Sequence, residues 1–112
     1  MNYDDASEIY RSIQGSRWSD GPPRALTSWL EAAITYASVR SGWQLLSSQE
    51  RAERDLQRTS LHNVAIDAIN RLSREMGRHG ESIEWRARLG DDRRRIGDFA
   101  CWCALFMGLS AR

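Results

Sequence analysis

The chain contains no lysine: all 16 of its basic residues are arginine, against 15 acidic residues, and its formal net charge is only +1. A charge this small excludes electrostatic steering of nucleic acid by the protein as a whole, so any such binding must use a local patch. Codon usage in a GC-rich genome and selection for guanidinium both explain the absence of lysine. Under either explanation, every cation is planar, permanently charged and able to hold a carboxylate or phosphate through paired hydrogen bonds.

Cysteine and long apolar runs are also scarce. The two cysteines, Cys101 and Cys103, would lie about 200° apart around a helix axis, which disfavours a bridge between them. The longest apolar run, Phe99 to Met107, is about half the length of a membrane-spanning helix. The acidic, polar start of the chain does not resemble a secretory signal. We therefore expect a cytoplasmic protein with reduced thiols and no membrane contact.

Several motifs of common chemistry are missing. The sequence has no glycine-rich phosphate loop, zinc-binding histidine pair, nucleophile elbow or dinucleotide-binding glycine pattern. Two cysteines do not make a zinc site, and His62 and His79 lie in another segment. Asp67 is five residues after His62, which on a helix turns it about 140° away and disfavours an acid–base pair. We predict no enzyme activity, no metal and no cofactor.

The apolar pattern predicts the fold class. With 112 residues, 41% of them hydrophobic and 28% charged, the chain is typical of one folded domain spanning 1–112. Apolar residues recur every three or four positions in each long segment, and no segment alternates with a period of two. The sequence thus predicts an all-α domain, a compact bundle of four or five helices with the apolar C-terminal helix at its centre.

Caps and breakers place the first helices. A capping box from Asp5 to Glu8 opens a helix predicted over 5–14, and a loop with Trp18 follows it. The second helix is expected to start near Pro23 and end at Gly42. Its core stripe is predicted to consist of Leu26, Trp29, Leu30, Ala33, Ile34 and Ala37, with Tyr36 and Val39 beside it.

Ser47 and Glu50 form a second capping box, and no glycine or proline follows before Gly77. This pattern predicts one long helix whose second half packs and whose first, mostly charged half is more exposed. A break near Thr59 is the alternative. The packing face is predicted to consist of Leu61, Val64, Ala65, Ala68, Ile69, Leu72 and Met76.

A short helix predicted over 81–89 stops at Gly90, and Asp91 or Asp92 caps the last helix. From Phe99 onward this last helix is apolar on nearly every side, so it should be buried all round, inside its own fold or against another chain. We expect a homodimer on this ground.

Five arginines gather around the Gly90 turn. They are Arg86, Arg88, Arg93, Arg94 and Arg95. Three of them would occupy the first turn of the last helix, where cations oppose the helix dipole, so this group should have an anionic partner. The interleaved acidic residues within the fold and an external protein or nucleic acid are the alternatives.

Aromatic and polar side chains give two more candidate sites. Of five tryptophans, Trp18, Trp43 and Trp85 fall in loops or short elements, and tryptophan and arginine together are typical anchors of protein interfaces. A polar stripe on the long helix is either a recognition surface or a solvated face that bonds neighbouring loops. It consists of His62, Asn63, Asp67, Asn70 and Arg71.

These features predict a non-enzymatic protein-binding module that occludes or bridges a larger partner through an arginine–tryptophan surface. An inhibitor of a host complex, of the bacterial or phage anti-defence type, is one such protein. The alternative is a nucleic-acid-binding accessory or regulatory protein that uses the arginines around Gly90.

Overall fold

Five α-helices make up most of the residues that the computed structural model describes, which are 1–16 and 24–110. No strand occurs in these two ranges, so the predicted all-α bundle is confirmed. The predicted loop lies almost wholly outside them, together with Trp18. The helices are α1 (Tyr3–Gln14), α2 (Arg24–Ser41), α3 (Ser48–Arg78), α4 (Glu84–Leu89) and α5 (Arg93–Ser110), and a 3₁₀ turn, Trp43–Leu45, joins α2 to α3.

Side-chain caps set the starts of three helices. The box at Ser47 and Glu50 is confirmed: the Ser47 hydroxyl accepts from the Glu50 amide, and the Glu50 carboxylate accepts from the Ser47 amide. Asp92 Oδ1 accepts from the Arg94 amide at 2.8 Å at the start of α5. The box predicted at Asp5 is wrong, because Asn2 caps α1 and accepts from the Asp5 amide at 2.9 Å. The first helix therefore begins earlier than expected.

The long helix α3 is unbroken for 31 residues, about 46 Å at the rise of an α-helix. The alternative break near Thr59 is therefore wrong. Its second half packs largely as predicted, with Ala65, Ile69 and Leu72 fully buried, but Val64, predicted on the packing face, is wrong: it is 54% exposed. In the first half, Leu56 is 79% exposed. Only the second half of α3 contributes to the core.

The core forms where α2 lies along both α3 and α5. Trp29 of α2 and Phe99 of α5 are fully buried, and their rings stack at 5.7 Å between centroids. The stripe predicted for α2 is partly wrong: Ile34 is 42% exposed, whereas Tyr36 is buried. The buried face turns toward Tyr36 because α2 has two neighbours and must fill the space between them.

Gly97 allows this close contact between α2 and α5. A Cβ atom at Gly97 would lie 2.9 Å from the Tyr36 hydroxyl and 3.1 Å from Arg40 Nη1. Any larger residue would force the two helices apart or displace the Tyr36 ring.

The last helix is not buried on every side within this chain. Phe99 and Cys103 are fully buried, but Leu105 is 50% exposed and Trp102 is only half-buried. Helices α1, α2 and α3 cover most of α5 and leave one strip open; its burial against another chain stays a prediction. Within the two described ranges, no helix is both long and apolar enough to cross a membrane.

Candidate functional site

Around the Gly90 turn, most of the predicted arginine cluster contacts the protein's own polar groups. Gly90 ends α4 with a φ of 80°, a conformation that favours glycine. Arg86 donates to Asn70 Oδ1 from Nε at 3.1 Å and from Nη2 at 2.8 Å, and to the Gly90 carbonyl at 2.7 Å. It also pairs with Asp91 at 2.9 Å, and its side chain is only 15% exposed. Arg86 therefore fastens α4 and the turn to α3.

Arg88 and Arg95 face the first helix and the α4 carboxyl end. Arg88 forms ion pairs with Asp5, at 3.1 Å, and with Glu8. Arg95 donates to the Leu89 carbonyl at 2.8 Å and lies 3.8 Å from Asp5. These contacts neutralise part of the cationic first turn of α5 and satisfy carbonyl groups at the end of α4.

Arg93 and Arg94 behave differently from each other. Arg93 donates to Asn63 Oδ1 at 2.6 Å, so it too binds α3. The guanidinium of Arg94 makes no hydrogen bond or ion pair with any residue in the described ranges. It instead lines a cleft of about 890 Å³.

His62 also joins α3 to the start of α5. Its Nε2 atom lies 2.7 Å from the Arg93 carbonyl, which can only accept, so Nε2 carries the hydrogen and donates it. The imidazole stacks on the Tyr36 ring at 4.8 Å. Burial lowers the pKa of His62, and the positive charges of Arg93 and Arg40 lower it further, against the opposing effect of the hydrogen bond. The neutral ring is thus the form that joins α3 to α5.

Two groups of residues singled out in the sequence therefore meet. His62, Asn63 and Asn70 of the polar stripe bind Arg93 and Arg86 of the Gly90 turn.

The remaining predicted residues lie elsewhere. Asp67 and Arg71 are exposed residues of α3. The predicted partner-binding residue Trp85 is only 4% exposed, so its ring belongs to the core and does not form a contact surface. Its short helix packs against α1.

A cleft of about 890 Å³ lies between the end of α2, the 3₁₀ turn, the middle of α3 and the first half of α5. We call it the Trp43 cleft. Its lining combines three aromatic residues with three arginines: Tyr36, Trp43, Trp102, Arg40, Arg58 and Arg94. Of the described arginines and tryptophans predicted to bind a partner, Trp43 and Arg94 line it.

One wall of the Trp43 cleft is fastened to α3 by arginines. The Arg58 guanidinium lies over the Trp43 ring at 4.6 Å, within the range of a cation–π contact. Arg51 donates to the carbonyls of Trp43 at 3.1 Å and Gln44 at 3.0 Å. Trp43 is therefore held at the rim with part of its ring exposed.

Asp98 binds two cationic groups at the base of the Trp43 cleft. It accepts from Arg40 Nη2 at 2.5 Å and from the Met1 amino group at 3.1 Å, while Trp102 Nε1 donates to the Met1 carbonyl at 3.1 Å. Burial by itself raises the pKa of Asp98, but the hydrogen bonds and charges of Arg40 and Met1 outweigh it, and its pKa lies below the ordinary value. Asp98 is therefore ionised at neutral pH, and positive charge remains in surplus.

The thiol of Cys101, which lines the cleft, is not activated as a nucleophile. Cys101 Sγ lies 4.0 Å from Arg40 Nη1, yet burial raises the pKa of its thiol more than Arg40 lowers it. A thiol with a raised pKa is a poor nucleophile at neutral pH. Within the described ranges, no group of three or more His, Cys, Asp or Glu side chains could hold a metal ion.

Sequence reasoning missed Arg40, Arg58, Asp98 and Trp102 as members of one site. Arg40 and Asp98 are 58 residues apart in the chain, and their pairing depends on how α2 crosses α5. One signal was available: Trp43 directly follows the helix-ending Gly42 and precedes a capping box, so it had to lie at a corner between two helices.

Comparisons with protein-family models, curated protein sequences and solved structures gave no significant match. The function is therefore inferred from the geometry of this chain.

Proposed function

We propose that the protein is a non-enzymatic protein-binding module and that the Trp43 cleft is its contact surface. The observation that carries the proposal is the concentration of two half-exposed tryptophans, Trp43 and Trp102, with three arginines around one 890 Å³ depression. These residue types supply most of the binding energy at protein interfaces. Leu105, 50% exposed at the rim, adds apolar area that a partner could bury.

The charges of the cleft indicate the chemistry of the partner. Asp98 balances only one of its two cationic neighbours, Arg40 and the Met1 amino group. Arg94 adds a guanidinium without an ion pair among the described residues. An acidic segment with an aromatic or aliphatic anchor would satisfy these cations and cover the indoles. The protein would then act by occluding or bridging that partner, and inhibition of a host complex is one form of such action.

The nucleic-acid alternative has weaker support at the Gly90 turn. Arg86 and Arg88 already hold carboxylates, and Arg93 and Arg95 hold amide and carbonyl oxygens. Phosphate binding there would have to break these bonds, and the net charge of +1 adds little attraction.

Site-specific photocrosslinking tests the protein-binding proposal. A photoreactive residue replaces Leu105 at the cleft or, as a matched control, Leu56, which is equally apolar and more exposed but lies outside the cleft lining, about 200° around the α3 axis from Arg58. We expect a protein partner to crosslink from position 105 and not from position 56, before and after nuclease treatment. Crosslinking from both positions equally, or loss of the product after nuclease treatment, would contradict the proposal.

The identified partner then allows a quantitative test. Trp43→Ala should weaken binding by about tenfold or more, as expected for truncation of an interface anchor. Leu56→Ala is the control and should leave affinity unchanged. Far-UV circular dichroism should be unaltered in both variants, because neither side chain belongs to the core.

A further inference from the structure

A second group of arginines surrounds a different depression, at the opposite end of α2 from the Trp43 cleft. It has a volume of about 430 Å³ and is lined by Arg24 and Ala25 of α2 and by four residues of α3. Those four are Arg71, Arg74, Glu75 and Arg78. We call Arg24, Arg71, Arg74 and Arg78 the α2–α3 arginines.

Among the residues that the structure describes, the α2–α3 arginines lack sufficient countercharge. Glu75 is the one acidic residue in the lining, and it pairs with Arg78 at 2.7 Å. Arg24, Arg71 and Arg74 make no hydrogen bond or ion pair with another residue in 1–16 or 24–110. The described lining therefore holds four arginines and one glutamate, a surplus of three positive charges, in a chain whose net charge is +1.

The positions of the α2–α3 arginines increase the electrostatic repulsion that their charges experience. Arg71, Arg74 and Arg78 are three and four residues apart on one helix, so they lie on one face with neighbouring side chains about 5–6 Å apart at Cβ. Arg24 begins α2, where the positive end of the helix dipole disfavours a cation. A bound anion would relieve both sources of repulsion.

We propose that the α2–α3 arginines bind a compact ligand with two or more phosphate groups. Guanidinium forks match the oxygens of phosphate, and several forks around one depression can each bind a different oxygen. The site is small, and Asp67, one helical turn before Arg71 on the same side of α3, limits the positive strip in that direction. These features favour a compact anion over a long nucleic-acid backbone, which needs an extended row of cations. This inference does not depend on the Trp43 cleft.

Calorimetric titration with sodium diphosphate, without divalent metal and at low ionic strength, tests the site. Arg71→Gln/Arg74→Gln should weaken binding by about tenfold or more, because it removes two of the charge-assisted contacts. Arg11→Gln/Arg54→Gln is the matched control: it removes the same charge from exposed positions outside the depression. Its affinity should stay close to that of the original chain.

Thermal unfolding separates loss of the site from loss of the fold. Diphosphate should raise the unfolding temperature of the original chain and of the control variant, but not of Arg71→Gln/Arg74→Gln. The latter should be at least as stable as the original chain without ligand, because its substitutions relieve repulsion. Equal ligand effects in the two double variants, or sulfate acting as well as diphosphate at matched ionic strength, would overturn the proposal.

A single-stranded oligonucleotide of about 20 nucleotides tests the other source of phosphate. We expect it to bind more weakly than diphosphate per mole. Tighter, steeply salt-dependent binding of the oligonucleotide that Arg71→Gln/Arg74→Gln abolishes would replace the compact ligand with a nucleic-acid backbone, and would overturn the inference as stated.

Discussion

The Gly90 arginines and the α2–α3 arginines have similar sequence signatures and opposite environments. Around Gly90, Arg86 is held by four polar contacts and is 15% exposed. At the depression, Arg71 and Arg74 are exposed and lack ion pairs within the described part of the chain. The run of three consecutive arginines drew attention to the first group, yet the second has the surplus of charge.

The two groups of arginines differ because different residues lie opposite them in the fold. The Gly90 arginines face α1 and the amide-bearing side of α3, which present Asp5, Glu8, Asn63 and Asn70. The α2–α3 arginines face each other across two helices, with Glu75 alone between them. An arginine's role therefore depends on the neighbouring element rather than on the density of arginine along the chain.

Removal of the Arg86 side chain should have the largest effect on the free energy of unfolding. Arg86→Ala leaves Asn70 Oδ1 and the Gly90 carbonyl without their charged donor and should destabilise the fold by about 2–4 kcal/mol. Urea denaturation measures this, with Arg71→Ala as the control, expected to stay within about 0.5 kcal/mol of the original chain. Similar midpoints for the two variants would remove the distinction between the groups.

A smaller effect is expected at His62, which anchors Arg93's backbone. His62→Gln should cost about 0.5–1.5 kcal/mol, the usual value of a net hydrogen bond. Because the folded-state pKa of His62 lies below its ordinary value of 6.5, the unfolded chain binds the proton more readily. Stability should therefore fall as pH drops through about 6.5.

The matching control for this pH dependence is the variant itself. Denaturation of His62→Gln between about pH 7.5 and 5.5 should show a flatter decline than the original chain. Nitrogen-15 spectra at neutral pH should show the hydrogen on Nε2. An Nδ1 hydrogen, or an unchanged pH profile in the variant, would contradict the role given to His62.

The exposed ion pairs of Arg88 should contribute less to stability than the contacts of Arg86 and His62. A double-mutant cycle with Arg88→Ala and Asp5→Ala should give a coupling free energy much smaller than the destabilisation by Arg86→Ala, because this pair is open to solvent. The coupling should decrease with added salt. A coupling as large as the Arg86→Ala effect would contradict the exposure of this pair.

The smallest effect, of opposite sign, is expected at Arg71. Arg71→Gln should leave stability unchanged or raise it by up to about 0.5 kcal/mol at low salt, because it removes repulsion among the α2–α3 arginines. The gain should vanish at high salt. A clear loss of stability would show that Arg71 already has an anionic partner within the protein.

Local signals in the sequence predicted the helices well. The capping box at Ser47 and Glu50, the helix-ending Gly42 and Gly90, and the 3.6-residue periodicity all act within a few residues of where they occur. The start of α1 was missed because Asn2 provides the cap three residues before the expected cap, Asp5.

The sites could not be predicted in the same way, because they form between helices. The pairs His62–Arg93 and Arg40–Asp98 are 31 and 58 residues apart, and no local pattern specifies them. Tyr36 appears to the side of the apolar stripe in the sequence, but the space above Gly97 lets it enter the core. Three of the five residues of the polar stripe, His62, Asn63 and Asn70, bind neighbouring elements, and these bonds depend on the packing of α3 against α4 and α5.

The first half of α3 has a consequence for binding that follows from its lack of core contacts. Apart from its cap, this segment is fastened to the rest of the protein by the bonds of Arg51 to the Trp43 and Gln44 carbonyls and by Arg58 over Trp43. Its backbone amides should therefore exchange with deuterium through local opening, long before those near Ile69, which open only with the whole fold.

Because Arg58 and the support of Trp43 belong to this segment, one wall of the Trp43 cleft can open without unfolding the core. On the proposed function, this opening would let the cleft accept partners of different width while the core stays folded. Binding of a partner would order this segment and slow amide hydrogen exchange in 48–60. The entropy lost in ordering it would lower the affinity for any one partner.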